Sequence, residues 1–184
     1  TGPHLHFEVR ISGVAVDRLR RGPDSVARLI NGFGVTGTVA RLNADSVVLS
    51  VTTGPAVEAE RAALDLAEGA TVIRIRRQRA FDGAPLVVET LSLPQQLFPG
   101  LENGPIPNNL YSLYAGHYGI TIANARERLK AVALSAEDAA ALGASVGEPA
   151  LQIDRIALSL DGTPVERRLS LCLTQEVHYL SDLR

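Results

Sequence analysis

A single cysteine, Cys172, cannot close a disulfide within the chain, so the fold is not a small cross-linked scaffold of the secreted kind. Apolar runs are short as well, and none approaches the roughly 18 residues that a membrane-spanning helix requires. A charge excess is also missing. The 18 Lys and Arg against 20 Asp and Glu leave a net charge of -2, which offers no basic field for nucleic acid or an anionic membrane. A reducing cytoplasm is the simplest home for such a chain. Methionine is absent and the first residue is Thr1, which points to a processed product or a piece of something longer. Catalytic signatures are equally scarce. No Gly-x-Ser-x-Gly, Walker loop or Gly-x-Gly-x-x-Gly occurs, and Cys172 lies in the apolar Leu169-Ser170-Leu171-Cys172-Leu173, the setting of a packed thiol. His117 beside Tyr118 reads as a helix surface group. What remains is a chain of 184 residues, 46% hydrophobic and 21% charged, large enough to build its core without a metal or cofactor.

The chain also says nearly the same thing twice. Glu60-Arg61-Ala62-Ala63-Leu64, Gly69, Arg77 and Asp82-Gly83-Ala84-Pro85 recur as Asp138-Ala139-Ala140-Ala141-Leu142, Gly147, Arg155 and Asp161-Gly162-Thr163-Pro164. Leu64 and Leu142, Gly69 and Gly147, and Arg77 and Arg155 are each 78 apart, whereas Gly83 and Gly162 are 79 apart, so one residue is inserted before the second turn. Each copy reads as an Ala/Leu helix stopped by glycine, a β-branched strand, an Asp-Gly turn and a second strand. Two copies are too few for a solenoid, so they are expected to pack as pseudo-symmetric halves of one sheet, with a ligand cleft where they meet.

Elsewhere the pattern predicts a hairpin over 4–16 turning at Ser12-Gly13, a polar boundary over 18–24, and a short helix over 25–30. A strand pair follows over 35–52, broken at Asn43-Ala44-Asp45. The first repeat supplies a helix near 56–66 and strands over 72–81 and 86–93, the second closed by Pro94. Residues 98–109 form a long Pro/Gly-rich loop, and loops of that length are often functional. Residues 110–118 form a helix with Leu110, Leu113 and Tyr114 on one face, stopped by Gly119. A strand over 120–134 leads to Ser135, an N-cap followed by Glu137 and Asp138.

Residues two apart on a strand share a face, so Arg77 and Arg79 project together, with Glu89 within diagonal reach on the partner strand. Such a pair is either an anion clamp or a solvated cross-strand Arg-Glu arrangement. Position in a duplicated hairpin favours the clamp. Arg155 lacks a second arginine two residues on, which marks it as structural. At the other end, Thr1-Gly2-Pro3-His4-Leu5-His6-Phe7-Glu8-Val9-Arg10 resembles the last strands of LytM-type zinc metallopeptidases, whose second histidine binds zinc. A His4/His6 pair supplies at most half of a tetrahedral site, so no metal is expected there.

Together, Arg77-Gln78-Arg79-Ala80-Phe81-Asp82-Gly83-Ala84-Pro85, Leu110-Tyr111, Tyr118-Gly119-Ile120, Gly147-Glu148-Pro149-Ala150-Leu151 and Asp161-Gly162-Thr163-Pro164-Val165-Glu166 resemble the UTRA effector-binding domain of GntR regulators of the HutC subfamily. The resemblance covers residues 23–184 and leaves 1–22 as an N-terminal hairpin-like extension. It implies an α+β fold like that of chorismate lyase, an antiparallel sheet with flanking helices around a small-molecule cleft. It further implies a homodimer, and operator DNA bound only through a winged helix-turn-helix that these residues do not include. Its ligand positions fall on Arg77, Arg79, Glu89, Asn109, Tyr111 and Glu166. Asn109 replaces an anion-contacting serine, and a tyrosine common on the last strand falls near Cys172. Those departures point to a smaller or more hydrophobic anionic effector than a sugar phosphate. A chorismate lyase-like enzyme and a free-standing ligand-binding domain are the alternatives.

Overall fold

The computed structural model describes residues 6–11, 44–81, 83–175 and 177–182. His4, the turn at Ser12-Gly13, the boundary over 18–24 and the helix over 25–30 lie outside the described residues, as does the His6 side chain. Strand β1 (His6–Ile11) pairs antiparallel with the last strand, β8 (Val177–Asp182), a partnership that the sequence pattern did not suggest.

The duplication is visible in the elements themselves. Strand β2 (Ala44–Pro55), helix α1 (Glu58–Leu64) and strand β3 (Thr71–Phe81) make the first half, with β4 (Ala84–Pro94). Strand β5 (Ile122–Ala133), helix α3 (Ala136–Leu142) and strand β6 (Pro149–Ser159) repeat them, with β7 (Pro164–Leu173). The first three elements of each half begin and end 78 residues apart, so the repeat extends to β2 and β5, where the side chains do not match. Of the strand pair expected over 35–52, the part before Ala44 lies outside the described residues, and β2 begins within the expected break at Asn43-Ala44-Asp45.

Six strands form one antiparallel sheet in the order β2-β3-β4-β7-β6-β5, so the halves join at their inner strands, β4 and β7. Thr90 pairs with Leu169, 79 positions on, and Glu89–Ser170 and Leu91–Arg168 flank it. A pseudo-twofold axis therefore passes through the Thr90–Leu169 pair. The two repeat helices cover one face of the sheet, and each lies on the other half's inner strand, α1 on β7 and α3 on β4. Arg76 of β3 reaches α3, its guanidinium 2.8 Å from Asp138 and 2.6 Å from Glu137.

Helix α2 (Leu110–Tyr118) lies in the core of the opposite face. Leu110 and Tyr114 are buried there with Ile73, Ile75, Leu91 and Leu93, and Gly119 stops the helix at φ 68°. The loop before it is less open than its composition suggests. It opens with two single 3₁₀ turns, Gln95–Leu97 and Leu101–Asn103, and it drives Phe98 and Leu101 into the same core. Phe98 stacks against Tyr114 at 4.6 Å between ring centroids and edge-on to Tyr118 at 5.2 Å.

Candidate functional site

Period-two alternation decides what shares the α2 face. On β3 it places Ile73, Ile75, Arg77 and Arg79 there; on β4, Glu89 and Leu91; on β7, Glu166, Arg168, Ser170 and Cys172. Beneath α2 the column is apolar. Farther along the strands it becomes charged. Arg77, Arg79, Arg168, Glu89 and Glu166 are all no more than 6% exposed, three guanidiniums and two carboxylates beside the join between the halves. Charges are buried at such a place only when paired or held for a ligand.

Each carboxylate is engaged several times. Arg77 stands directly opposite Glu89, not diagonal to it, and its Nε donates to Glu89 Oε1. Arg168 lies 3.8 Å from Glu89, and Ser170 Oγ donates to the same carboxylate over a long 3.4 Å. Burial pushes the Glu89 carboxyl up, but the charges of Arg168, Arg77 and Arg79 outweigh it and bring the pKa from 4.5 down to about 2. Glu166 takes both arms of Arg168, Nε to Oε1 and Nη2 to Oε2, each at 3.0 Å. Tyr114 donates to Glu166 Oε2 at 2.7 Å and Tyr111 to Oε1 at 3.3 Å. Burial and the Glu166 charge push the Tyr111 hydroxyl up to about 12. Arg168 also lies 5.5 Å from the centre of the Tyr111 ring, over its face. At Arg79 burial, together with the like charges of Arg77 and Arg168, outweighs Glu89 and brings the pKa down to about 10.

Five of the six ligand positions drawn from the sequence thus come together: Arg77, Arg79, Glu89, Tyr111 and Glu166. Asn109 stands apart. It is exposed, and its Oδ1 accepts the Ser112 amide as the N-cap of α2. The neighbouring carbonyls of Pro107 and Asn108 face the cluster instead, 3.5 and 3.4 Å from Arg77 Nη1. The solvated alternative for Arg77 fails because the pair is buried. Nor does Arg77 line an open cleft, since it is 1% exposed. Arg155 is ion-paired to Glu127 of β5 at 2.8 Å, the structural role expected of it, but it also hydrogen-bonds Tyr111 and so touches the site. Sequence reasoning passed over Arg168, Tyr114 and Ser170. Arg168 lies two residues after Glu166 and Tyr114 three after Tyr111, so the same-face rules could have found both. Cys172 is buried on this face, and burial pushes its thiol up to about 12, which keeps it protonated and unreactive.

The family model described as the UTRA domain matches residues 40–178. An HTH-type transcriptional regulator of Mycobacterium tuberculosis is 34% identical over 149 residues, 79% of this chain and 52% of that protein. The HTH-type transcriptional repressor PhnF of Mycolicibacterium smegmatis is 31% identical over 105 residues, 56% of this chain and 42% of that protein. The chain therefore spans about half the length of the curated relatives it matches. Among solved structures, the ligand-binding domain of a Bordetella bronchiseptica regulator assigned to the GntR family superposes with TM-score 0.71 at 37% identity, covering 77% of this chain and 91% of that one. The effector domain of PhnF from Mycobacterium smegmatis gives 0.66 at 26% identity, covering 72% and 82%.

Proposed function

The chain belongs to the UTRA domain family of GntR-type transcription regulators, and from that premise we propose that it senses a small anionic molecule at the arginine cluster on the α2 face of its sheet. The observation that carries this reading is the burial of Arg77, Arg79 and Arg168 beside the join between the halves. A guanidinium offers a planar fork of donors that suits a carboxylate or phosphate. The effector's body is expected to be apolar rather than rich in hydroxyls. Glu89 and Glu166, the natural acceptors for hydroxyl groups, are already engaged by Arg77, Arg168, Tyr111 and Tyr114, and Val87, Ile153 and Cys172 are buried on the same face.

In the whole regulator, taken to be a cytoplasmic homodimer of the HutC subfamily, effector binding would shift the balance between dimer arrangements and so the spacing of DNA-binding heads outside this chain. It can do so only in proportion to its differential affinity for the arrangements. Residues 23–184 would be the sensing unit and 1–22 an extension, with no zinc at His4 and His6.

Thermal unfolding with a panel of phosphates and of aliphatic and aromatic carboxylates tests the reading. A true effector present at a hundred times its Kd should stabilise the chain by about 2.7 kcal/mol, and Arg79→Gln should abolish the gain. Arg79 suits the test because its surroundings already disfavour its charge. Stabilisation by neutral compounds alone, or undiminished in Arg79→Gln, would overturn the reading, as would conversion of chorismate to 4-hydroxybenzoate.

A further inference from the structure

Among the described residues the two outer strands of the sheet, β2 and β5, hold equivalent places in the repeat but carry opposite chemistry. β5 presents Arg126, Arg128 and Lys130, all exposed, the kind of charged side chains with which sheets keep an edge from pairing. Their counterparts 78 residues earlier are Val48, Ser50 and Thr52, and β2 has no charged residue from Ser46 to Pro55. Three apolar side chains in a row face solvent, Val47 at 54%, Val48 at 36% and Leu49 at 43% exposure, while Val51 turns toward the core.

We propose that β2 is the seam of the homodimer, pairing antiparallel with β2 of a second copy so that the two sheets become continuous. A second copy is the fitting occupant because twofold pairing sets a strand against itself. Like charges directly opposite are destabilising, so β5 opposes such pairing and the neutral β2 does not. The regular run from Ser50 to Pro55 gives the ladder a length of about 20 Å. The register slips between Val48 and Ser50, which leaves the straight run after it to form the ladder and Val47, Val48 and Leu49 to cover it. The seam is also one strand from the ligand site, since Val48 pairs with Arg77 and Ser46 with Arg79.

This deepens the homodimer proposed above, yet its test needs no effector, so a failed ligand screen does not bear on it. Light scattering at micromolar concentration should give twice 19.6 kDa for the native chain. The double variant Val47→Lys/Leu49→Lys should raise the dimer dissociation constant about a hundredfold or more through like-charge juxtaposition, with an unchanged circular dichroism spectrum. Leu129→Lys on β5 should remain dimeric. Should the double variant misfold, the exposed Thr52→Lys makes the same test. A Thr53→Cys variant, exposed at the middle of that run, should also form an interchain disulfide, since Cys172 is buried and cannot compete. A native monomer, a β2 variant that folds and stays dimeric, or dissociation by Leu129→Lys would each overturn the proposal.

Discussion

The Arg77–Glu89 pair shows how far burial changes the meaning of a residue. With both side chains at or near zero exposure, removing either one leaves the other charged in a dry setting. Arg77→Ala and Glu89→Gln are each expected to cost about 3–5 kcal/mol, read from denaturant unfolding. The pH dependence follows from the same pair. Glu89 titrates near 2 when folded and near 4.5 otherwise, so its contribution is whole above about pH 4.5 and is lost as pH falls toward 2. Glu89→Gln should flatten the acid limb of the stability profile; a limb of unchanged slope would show that other carboxylates govern it. The arginine pair was legible because a strand has period two. Arg168 was missed because Glu166 was read as a single acceptor, although the same period puts the two on one face. Burial itself was not legible, since it depends on α2 and on the neighbouring strands.

The two repeat helices are the same element capped in different ways. Ser135 Oγ accepts the Asp138 amide at the start of α3, whereas Val57, in the same place before α1, has no acceptor to offer, and only the reverse bond, Val57 N–H to Glu60, is made. Ser135→Ala should therefore cost about 1 kcal/mol, while Val57→Ser should stabilise. The C-caps differ in the same spirit. Both are left-handed, but α3 uses Gly143 at φ 65° and α1 uses Asp65 at φ 53°, a conformation that costs a residue with a Cβ. Asp65→Gly should raise stability by roughly 0.5–1 kcal/mol, or about 1–4 °C in Tm. A lower Tm would mean that the Asp65 side chain contributes more than its backbone strain removes. The sequence placed these helices to within two residues, because alanine runs and their stops are local. It did not reveal that β2 and β5 belong to the repeat, because edge strands are shaped by what lies outside the sheet and their side chains have diverged.

At the scale of the whole molecule, each half lends its helix to the other's inner strand, so neither can unfold and leave its mate covered. Heat should produce one transition, with far-ultraviolet and near-ultraviolet circular dichroism coinciding; two separated transitions would show that the halves are independent. Leu91→Ala, at the join and fully buried, should lower that transition by about 2–5 kcal/mol without splitting it. The sequence carried the two halves and their inner hairpins. The cross-packing was beyond it, since the 78-residue spacing says nothing of which helix covers which strand. The axis through Thr90 and Leu169 has one more consequence. Glu89 and Arg168 are 79 residues apart and hold the same place in the two copies, one step from that axis and on the same face. Two identical half-length chains meeting there would have to set glutamate beside glutamate or arginine beside arginine. Joined in one chain, the copies are released from that identity, and opposite charges stand 3.8 Å apart across an axis where a symmetric assembly permits only like ones.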